Sequence, residues 1–406
     1  MTLEQLAKAV GCEKYPTRWE EIYESVEKEF NEKGCIYAEP SFYEGLVSDY
    51  GILTQHIEVY KKAATEISKS RELSLFLLLI CRALENREKA ASDLGQCSLP
   101  TKGDELAVSM LPALVLASEM PYAHSVMAKR GIPEDIIRGA MSCTEKAVND
   151  YHRRFGGYGT THMLLAWNQL FVDGKLFRIG RLEIEVFTSF FPAVSVFEDR
   201  DGNRIALADG LSLHESGYAH GGVAYEDGEP WTAELTETDT AFIGYPLENC
   251  FAKKEKITLE KGKWQRVLKK GDPIVSLHIP RGGKLLDSDV EETVEMARDF
   301  LAKHFPDYAY KAFFCSSWLL DPKLETLLGD ESNIVRFGKR FERYIATDKG
   351  TGVFYFAYGF PSSSMKPGVD FELSDLDEST TLLKNIKQHY LNGDSIHAVA
   401  GCFFNR

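Results

Sequence analysis

Ile274-Val275-Ser276-Leu277-His278-Ile279-Pro280-Arg281-Gly282-Gly283-Lys284 is the stretch on which the reading of this chain turns. Ile274 to Ile279 is strand-like, and Pro280 with the Gly282-Gly283 pair breaks it off. Helical spacing follows: Val290, Val294, Ala297 and Leu301 fall on one stripe, and Asp287 or Ser288 can cap its start. Lys303 and His304 sit at its C-terminal end, where positive charge is favourable, and Pro306 stops it. The aromatic-rich run from Tyr310 to Trp318 then reads as the next strand. A glycine loop between a strand and a helix N-terminus can turn several backbone N–H groups toward an anion, with the helix dipole adding partial positive charge. Arg281 and Lys284 would complete a diphosphate cradle there. The same residues also fit an ordinary turn whose basic side chains face solvent, and composition alone leaves both readings open.

Upstream, the pattern stays β-like as far back as about Gly174. Phe177 to Phe187 alternates apolar and polar residues, the mark of a strand with one wet face. Val194 to Phe197, Asp201-Gly202-Asn203 and Arg204 to Leu207 read as a hairpin. Before about residue 170 the spacing is helical. Leu53, Ile57, Tyr60, Ala64 and Ile67 form one stripe, and Ile136, Ala140, Cys143, Ala147 and Tyr151 form another, opened by Gly131 and Pro133. Helices also fit Trp19 to Phe30, Glu72 to Ala91, Glu105 to Glu119 and Thr161 to Leu170. At 406 residues the chain exceeds the roughly 250 to 300 at which single cores usually split. The expected fold class is α+β: an all-helical N-terminal domain, residues 1–160, then a mixed-sheet α/β domain, residues 161–406, with Gly156-Gly157-Tyr158-Gly159 at the joint.

Composition narrows the function. A formal net charge of -14 disfavours nucleic acid and anionic lipid as partners, since the average surface repels both. An anionic cofactor needs only one local basic pocket. Eight cysteines lie scattered without a C-x-x-C pair, as in a reduced, cytoplasmic protein. No basic region followed by an apolar run opens the sequence, so no signal peptide is expected. The apolar run Leu73 to Cys81 is nine residues long, short of the roughly 20 that span a bilayer, and reads as a buried helix. Nothing in the pattern specifies an oligomeric state.

Four pieces carry a family resemblance: Leu176-Phe177-Arg178-Ile179-Gly180-Arg181-Leu182-Glu183; Leu277-His278-Ile279-Pro280 with Gly283 and Leu285; Ser317-Trp318-Leu319-Leu320-Asp321-Pro322; and Ser332-Asn333-Ile334 with Phe337 and Phe341. Over roughly Trp167 to Tyr344 the chain resembles a two-domain acyltransferase-like family that joins a helical N-acyltransferase N-terminal domain to a GNAT-like C-terminal domain. The resemblance implies an N-acyltransferase that uses acetyl-CoA or another acyl-CoA as co-substrate, with an amine of a small molecule or peptide as acceptor. It implies cofactor contacts from Leu277, Ile279, Arg281, Gly282, Gly283, Lys284 and Asn333. It also implies an oxyanion donor among the backbone N–H groups near His278 and Ile279, where strand 274 to 279 would splay from the next strand. His278 is the candidate base, or else a satisfied strand histidine. Tyr344, expected on the helix after Asn333, is the candidate acid, or else a core aromatic.

The broad GNAT diphosphate pattern is Gln or Arg, two residues, Gly, one residue, then Gly or Ala. Counted from Arg281, this chain has Lys284 and Leu286 where the small residues belong. Pro280 removes one donor, and Asp287, Asp289, Glu291 and Glu292 bring negative charge to the helix start. These departures define the alternative, a non-catalytic ligand-binding or interaction protein on a degenerate GNAT scaffold.

Other constellations point elsewhere. His214-Glu215 and His220 lack the His-Glu-x-x-His spacing of a zinc helix, and Gly217, Gly221 and Gly222 favour a loop. Ser362-Ser363-Ser364 reads as a polar turn, with no Gly-x-Ser-x-Gly elbow. Cys315 lies in an apolar strand and is expected to be buried. Lys253 to Lys256 and Lys261 to Lys270 read as solvated stretches that could steer an anion.

Overall fold

The structure, a computed structural model, describes residues 1–218, 220, 228–346 and 348–404. The chain divides into two compact units, Met1–Arg178 and Ile179–Arg406.

The first unit is helical up to Val172. Its central helix, Arg71–Leu84, is buried on nearly every side from Leu73 to Leu84, which explains the unbroken apolar run there. Helices Trp19–Lys33, Ile57–Ser68 and Glu105–Ser118 pack around it. The stretch Glu105–Lys129 is the one described helical segment long and apolar enough to cross a membrane, and most of it is buried in this unit. Two stretches expected as single helices are each broken. Residues 72–91 form Arg71–Leu84 and Arg87–Gln96, and the break lets Arg87 reach the buried Glu119 and Gln169 and the partly buried Asp173. The 136–151 stripe divides into Glu134–Met141 and Cys143–Phe155 at Ser142, whose hydroxyl donates to Gly139 O at 2.7 Å. Helix His162–Val172, beyond the glycine stretch, packs on helices Glu105–Ser118 and Met120–Lys129 in this unit.

The second unit is built on a six-stranded sheet, whose first strand overlaps the division at Arg178. Its strands are β1 (Leu176–Ile179), β2 (Leu182–Ser189), β3 (Pro273–His278), β4 (Ala312–Ser317), β5 (Glu342–Ala346) and β6 (Val399–Phe404), in the order β1-β2-β3-β4-β6-β5. β3 and β4 run parallel, joined by helix Asp287–His304, while β2 with β3, β4 with β6 and β6 with β5 run antiparallel. The expected single strand over 177–187 is a hairpin instead. Gly180, at φ 55°, makes the turn, and a Cβ there would lie 2.4 Å from Thr293 Oγ1.

Each face of the sheet has its own cover. Ile274, Phe314, Tyr344, Ala400 and Cys402 share a core with Phe190, Val194, Val196, Leu213 and Leu268, which cover one face. On the other, Arg298 of helix Asp287–His304 lies over the Phe313 ring at 5.9 Å. The hairpin expected around Asp201-Gly202-Asn203 is present: Val194–Glu198 pairs with Arg204–Ala208, and the Asp199 carboxylate accepts from the N–H groups of Asp201 and Asn203. The fold is thus α+β, helical first and mixed-sheet second.

Candidate active site

The parallel ladder between β3 and β4 is short. It pairs Val275 with Phe313 and Ser276 with Phe314, then stops. β3 continues against β2 as far as His278↔Glu183, and β4 continues against β6 as far as Ser317↔Val399. The two central strands therefore part after Ser276 and Phe314, leaving a notch between Leu277-His278-Ile279 and Cys315-Ser316-Ser317. This is the expected splay. Strand alternation sets His278 on the face of Ser276 and Ser316 on the face of Phe314, so these two polar residues flank the notch on one side of the sheet.

The loop 280–284 follows on β3. Gly282 and Gly283 both take positive φ, 98° and 69°, a pair of conformations that only glycine adopts without strain. A Cβ at Gly282 would have nothing within 4 Å, so the backbone here faces open space. The loop's carbonyls are gathered on the other side by a residue that sequence reasoning passed over as a site residue. Arg181 donates to Pro280 O at 2.9 Å, Lys284 O at 3.0 Å and Gly283 O at 3.3 Å. Its own N–H donates to Thr293 Oγ1 at 2.8 Å. Arg281 donates to Phe356 O at 2.8 Å, and Lys284 is exposed.

Helix Asp287–His304 starts differently from the expectation of an Asp287 or Ser288 cap. Leu286 holds the N-cap position, and no side chain caps the first turn. The carboxylates expected to oppose an anion at this end are partly drawn off: Arg340 pairs with Asp287 at 2.9 Å and Glu291 at 3.0 Å, and Arg336 stands 3.9 Å from Asp287. Asn333 opens the helix, Asn333–Lys339, that carries Arg336 and leads to Arg340.

His278 Nε2 lies 2.7 Å from Glu185 Oε2 on the neighbouring strand, with the histidine side chain 31% exposed and the glutamate 15%. The carboxylate is aimed there beside a β-bulge. Between the pairs Ser276↔Glu185 and Ile274↔Thr188, Val186 and Phe187 oppose the single residue Val275, and Phe187 takes φ 60°. The Tyr308 hydroxyl donates to Thr188 O and accepts from Thr188 N, both at 3.1 Å, and Thr188 Oγ1 donates to Ile274 O at 3.0 Å, so the distortion is pinned. Phe191, half exposed, meets Phe314 edge-on at 5.2 Å where the ladder ends.

Tyr344 requires a correction. Its helix ends at Lys339, and Tyr344 lies inside β5, 2% exposed, its ring edge-on to Phe190 at 6.0 Å. Burial pushes its phenol well above the ordinary range, and its hydroxyl lies buried without a hydrogen bond of good geometry, beside the Cys402 thiol. In the order β3-β4-β6-β5, three strand spacings, about 14 Å, separate its strand from that of His278. The structure therefore groups Leu277, His278, Ile279, Arg281, Gly282, Gly283 and Lys284, and leaves Tyr344 in the core.

The Ser317-to-Pro322 motif is explained by local structure. Ser317 caps the turn Trp318–Leu320, accepting from Leu319 N at 3.2 Å, and Pro322 precedes helix Lys323–Leu328. Asp321, 1% exposed, accepts from Lys323 N at 2.9 Å and His397 N at 2.8 Å, tying this turn to the segment that enters β6. Ser395 Oγ, His397 and Asp348 follow one another in triad-like contact at 2.8 and 3.6 Å, but Ser395 and His397 are only 0% and 1% exposed and serve this tie. His214 Nδ1 lies 2.8 Å from Ser216 Oγ within a turn, while Gly221 and Gly222 lie outside the described residues. No cluster of His, Cys, Asp or Glu among the described residues is arranged to hold a metal ion. Ser362 and Ser364 bond each other at 2.8 Å as a polar turn, and the Cys315 thiol is buried, its pKa pushed up to about 12.

Comparison with known proteins matches two family models in succession. Residues 45–174 match the N-acyltransferase N-terminal domain and residues 176–403 the GNAT-like C-terminal domain. No curated protein matches the chain. Among solved structures, an acyltransferase mutant in complex with octanoyl-CoA is similar over 100% of both chains, at 18% identity and TM-score 0.63. An acyltransferase in complex with decanoyl-CoA and teicoplanin is similar over 100% of this chain and 99% of that one, at 18% identity and TM-score 0.61. These likenesses establish the fold, and the two consecutive family matches fit the helical and mixed-sheet units one after the other. The chain belongs to the family of proteins in which an N-acyltransferase N-terminal domain is followed by a GNAT-like C-terminal domain.

Proposed function

We propose that this protein is an acyl-CoA-dependent N-acyltransferase whose acceptor is an amine on a small molecule or peptide. The observation that carries the reading is the early end of the β3–β4 ladder beside a loop whose glycine backbone faces open space. That the similar solved structures were obtained with octanoyl-CoA and decanoyl-CoA supports the co-substrate, and teicoplanin supports a small-molecule acceptor.

The residues fit a diphosphate. The helix N-terminus is free of a side-chain cap, the Gly282-Gly283 backbone is uncovered, and Asp287 and Glu291 are engaged by Arg340. Arg281, Gly282, Gly283 and Lys284 would hold the phosphates, with Asn333 at the neighbouring helix start. Acyl-CoA, when bound, supplies an activated thioester carbonyl. The edge Leu277-His278-Ile279 then offers backbone N–H groups to the oxyanion that develops as the amine attacks. With the Glu185 carboxylate at Nε2, that nitrogen carries the ring proton and Nδ1 holds the lone pair, so His278 accepts the amine proton while Glu185 stabilises the cation.

Calorimetric titration tests this with free CoA and with acetyl-, octanoyl- and decanoyl-CoA. Saturable binding that Arg281→Ala with Lys284→Ala weakens by about tenfold or more supports the reading. No heat with any of them at millimolar concentration removes it. Binding without acyl transfer to any amine would select the non-catalytic alternative, which the Lys284 and Leu286 departures from the glycine pattern favour.

A further inference from the structure

The first unit holds a pair of thiols that acyl transfer does not use. Cys12 follows helix Leu3–Val10, and Cys97 follows helix Arg87–Gln96. The two segments are laced together: Ser98 N donates to Lys14 O at 2.8 Å, and the N–H groups of Glu13 and Lys14 donate to Ser98 Oγ at 2.7 and 3.0 Å. Both sulfurs converge on one atom, for Cys12 Sγ and Cys97 Sγ each lie 3.1 Å from Ser98 O. Sharing that oxygen makes the two sulfurs neighbours, and each residue keeps about 6% of its surface exposed. The other six cysteines are buried elsewhere.

We propose that Cys12 and Cys97 form a redox site: a small peroxide oxidises Cys12, and Cys97 resolves the product to an intramolecular disulfide.

The electrostatics divide the labour. The neighbouring Cys97 thiol is the main cause that lowers the Cys12 thiol below its ordinary range, with the Ser98 hydroxyl adding to it, while Cys12 beside it and burial push Cys97 up. Cys12 is thus the more readily ionised of the two and Cys97 the partner that keeps its proton, the division that an attacking and a resolving cysteine need. In the first step the Cys12 thiolate attacks one peroxide oxygen. The O–O bond breaks, hydroxide leaves and takes a solvent proton, and Cys12 becomes a sulfenic acid. In the second, the Cys97 sulfur attacks the Cys12 sulfur, the S–O bond breaks, and the hydroxyl leaves as water with the Cys97 proton. Two thiols and one hydrogen peroxide yield one disulfide and two waters. The bridge would bind the end of the first helix to residue 97 and close the segment between them into a ring, restricting its unfolded chain.

The experiment uses the full, reduced protein. It is treated with a few equivalents of hydrogen peroxide, digested without reductant and read by mass spectrometry. The expected product is one peptide pair joining Cys12 to Cys97, reversed by dithiothreitol and accompanied by a rise in Tm. Cys97→Ser should replace the bridge with a Cys12 sulfenic acid that dimedone traps. Iodoacetamide at pH 7 should alkylate Cys12 at least about tenfold faster than any other cysteine of the native protein. Absence of the joined pair in the oxidised wild type, or alkylation of Cys12 no faster than of Cys35, overturns the proposal, and neither measurement depends on a variant that folds.

Discussion

Glu185 Oε2 stands 2.7 Å from His278 Nε2 across two antiparallel strands, so a carboxylate fixes the ring at the mouth of the notch between β3 and β4. His278→Ala should lower kcat by about 10²–10⁴-fold while leaving KM for acyl-CoA nearly unchanged. Glu185→Gln should fall between that variant and wild type. Release of free CoA thiol, followed over a range of pH, checks both, and an unchanged kcat for His278→Ala would dismiss the histidine as base.

Arg181 holds the carbonyl side of the 280–284 loop, so Arg181→Ala should loosen the turn and weaken CoA binding about tenfold, with kcat little altered. Arg181→Lys should rescue it poorly, because an ammonium on one stem does not reproduce the planar fork that reaches Pro280, Gly283 and Lys284 together. Calorimetry on the two variants separates positioning from a general loss of fold, which circular dichroism would register.

Two glycines should respond to alanine unequally. At Gly180 positive φ coincides with a Cβ site 2.4 Å from Thr293 Oγ1, and Gly180→Ala should cost about 2–4 kcal/mol of stability. At Gly282 the new methyl meets open space, and only the backbone conformation opposes it, for about 1–2 kcal/mol. Urea unfolding of both variants gives the comparison.

Tyr344→Phe removes a hydroxyl buried without a good hydrogen bond. Stability should hold or rise by about 1 kcal/mol, and kcat should be that of the wild type. A large loss of kcat with the fold intact would restore Tyr344 as the acid.

Burial raises the Asp321 carboxyl above its ordinary value, against the two N–H groups that lower it. The native state therefore holds this proton to higher pH than the unfolded chain. The stabilisation is full below about pH 4, where a free aspartate titrates, and is lost as pH rises through the native value. Wild type should lose stability relative to Asp321→Asn across that window, with no further divergence above it. Asp321→Ala, which strands the amides of Lys323 and His397, should cost about 2–4 kcal/mol at any pH. Denaturant melts at several pH values measure both.

The order strand, loop, helix, strand was legible because each signal is local: alternation at 274–279, the glycine pair, the 290–301 stripe and Pro306 all act within a few residues. The dyad and the loop's anchor were not, since Glu185 is 93 residues from His278 and Arg181 is 99 from Pro280. Their partnership depends on β2 lying beside β3, which no spacing reveals. The hairpin at Gly180 was hidden because alternation continues through a tight turn, so the apolar residues keep their period while the chain reverses. Tyr344 was misplaced for a similar reason: the helix from Asn333 stops at Lys339 without proline, and Phe341 and Tyr344 keep a helix-like interval although β5 has begun.

The grip of Arg181 has one more consequence. It reads carbonyl oxygens, and every residue owns one, so the anchorage is blind to which side chains occupy positions 281 and 284. Those two positions can be exchanged to suit a new ligand without dismantling the turn, while the glycines between them resist exchange because both hold positive φ. Within four consecutive residues, the adaptable positions thus flank the constrained pair.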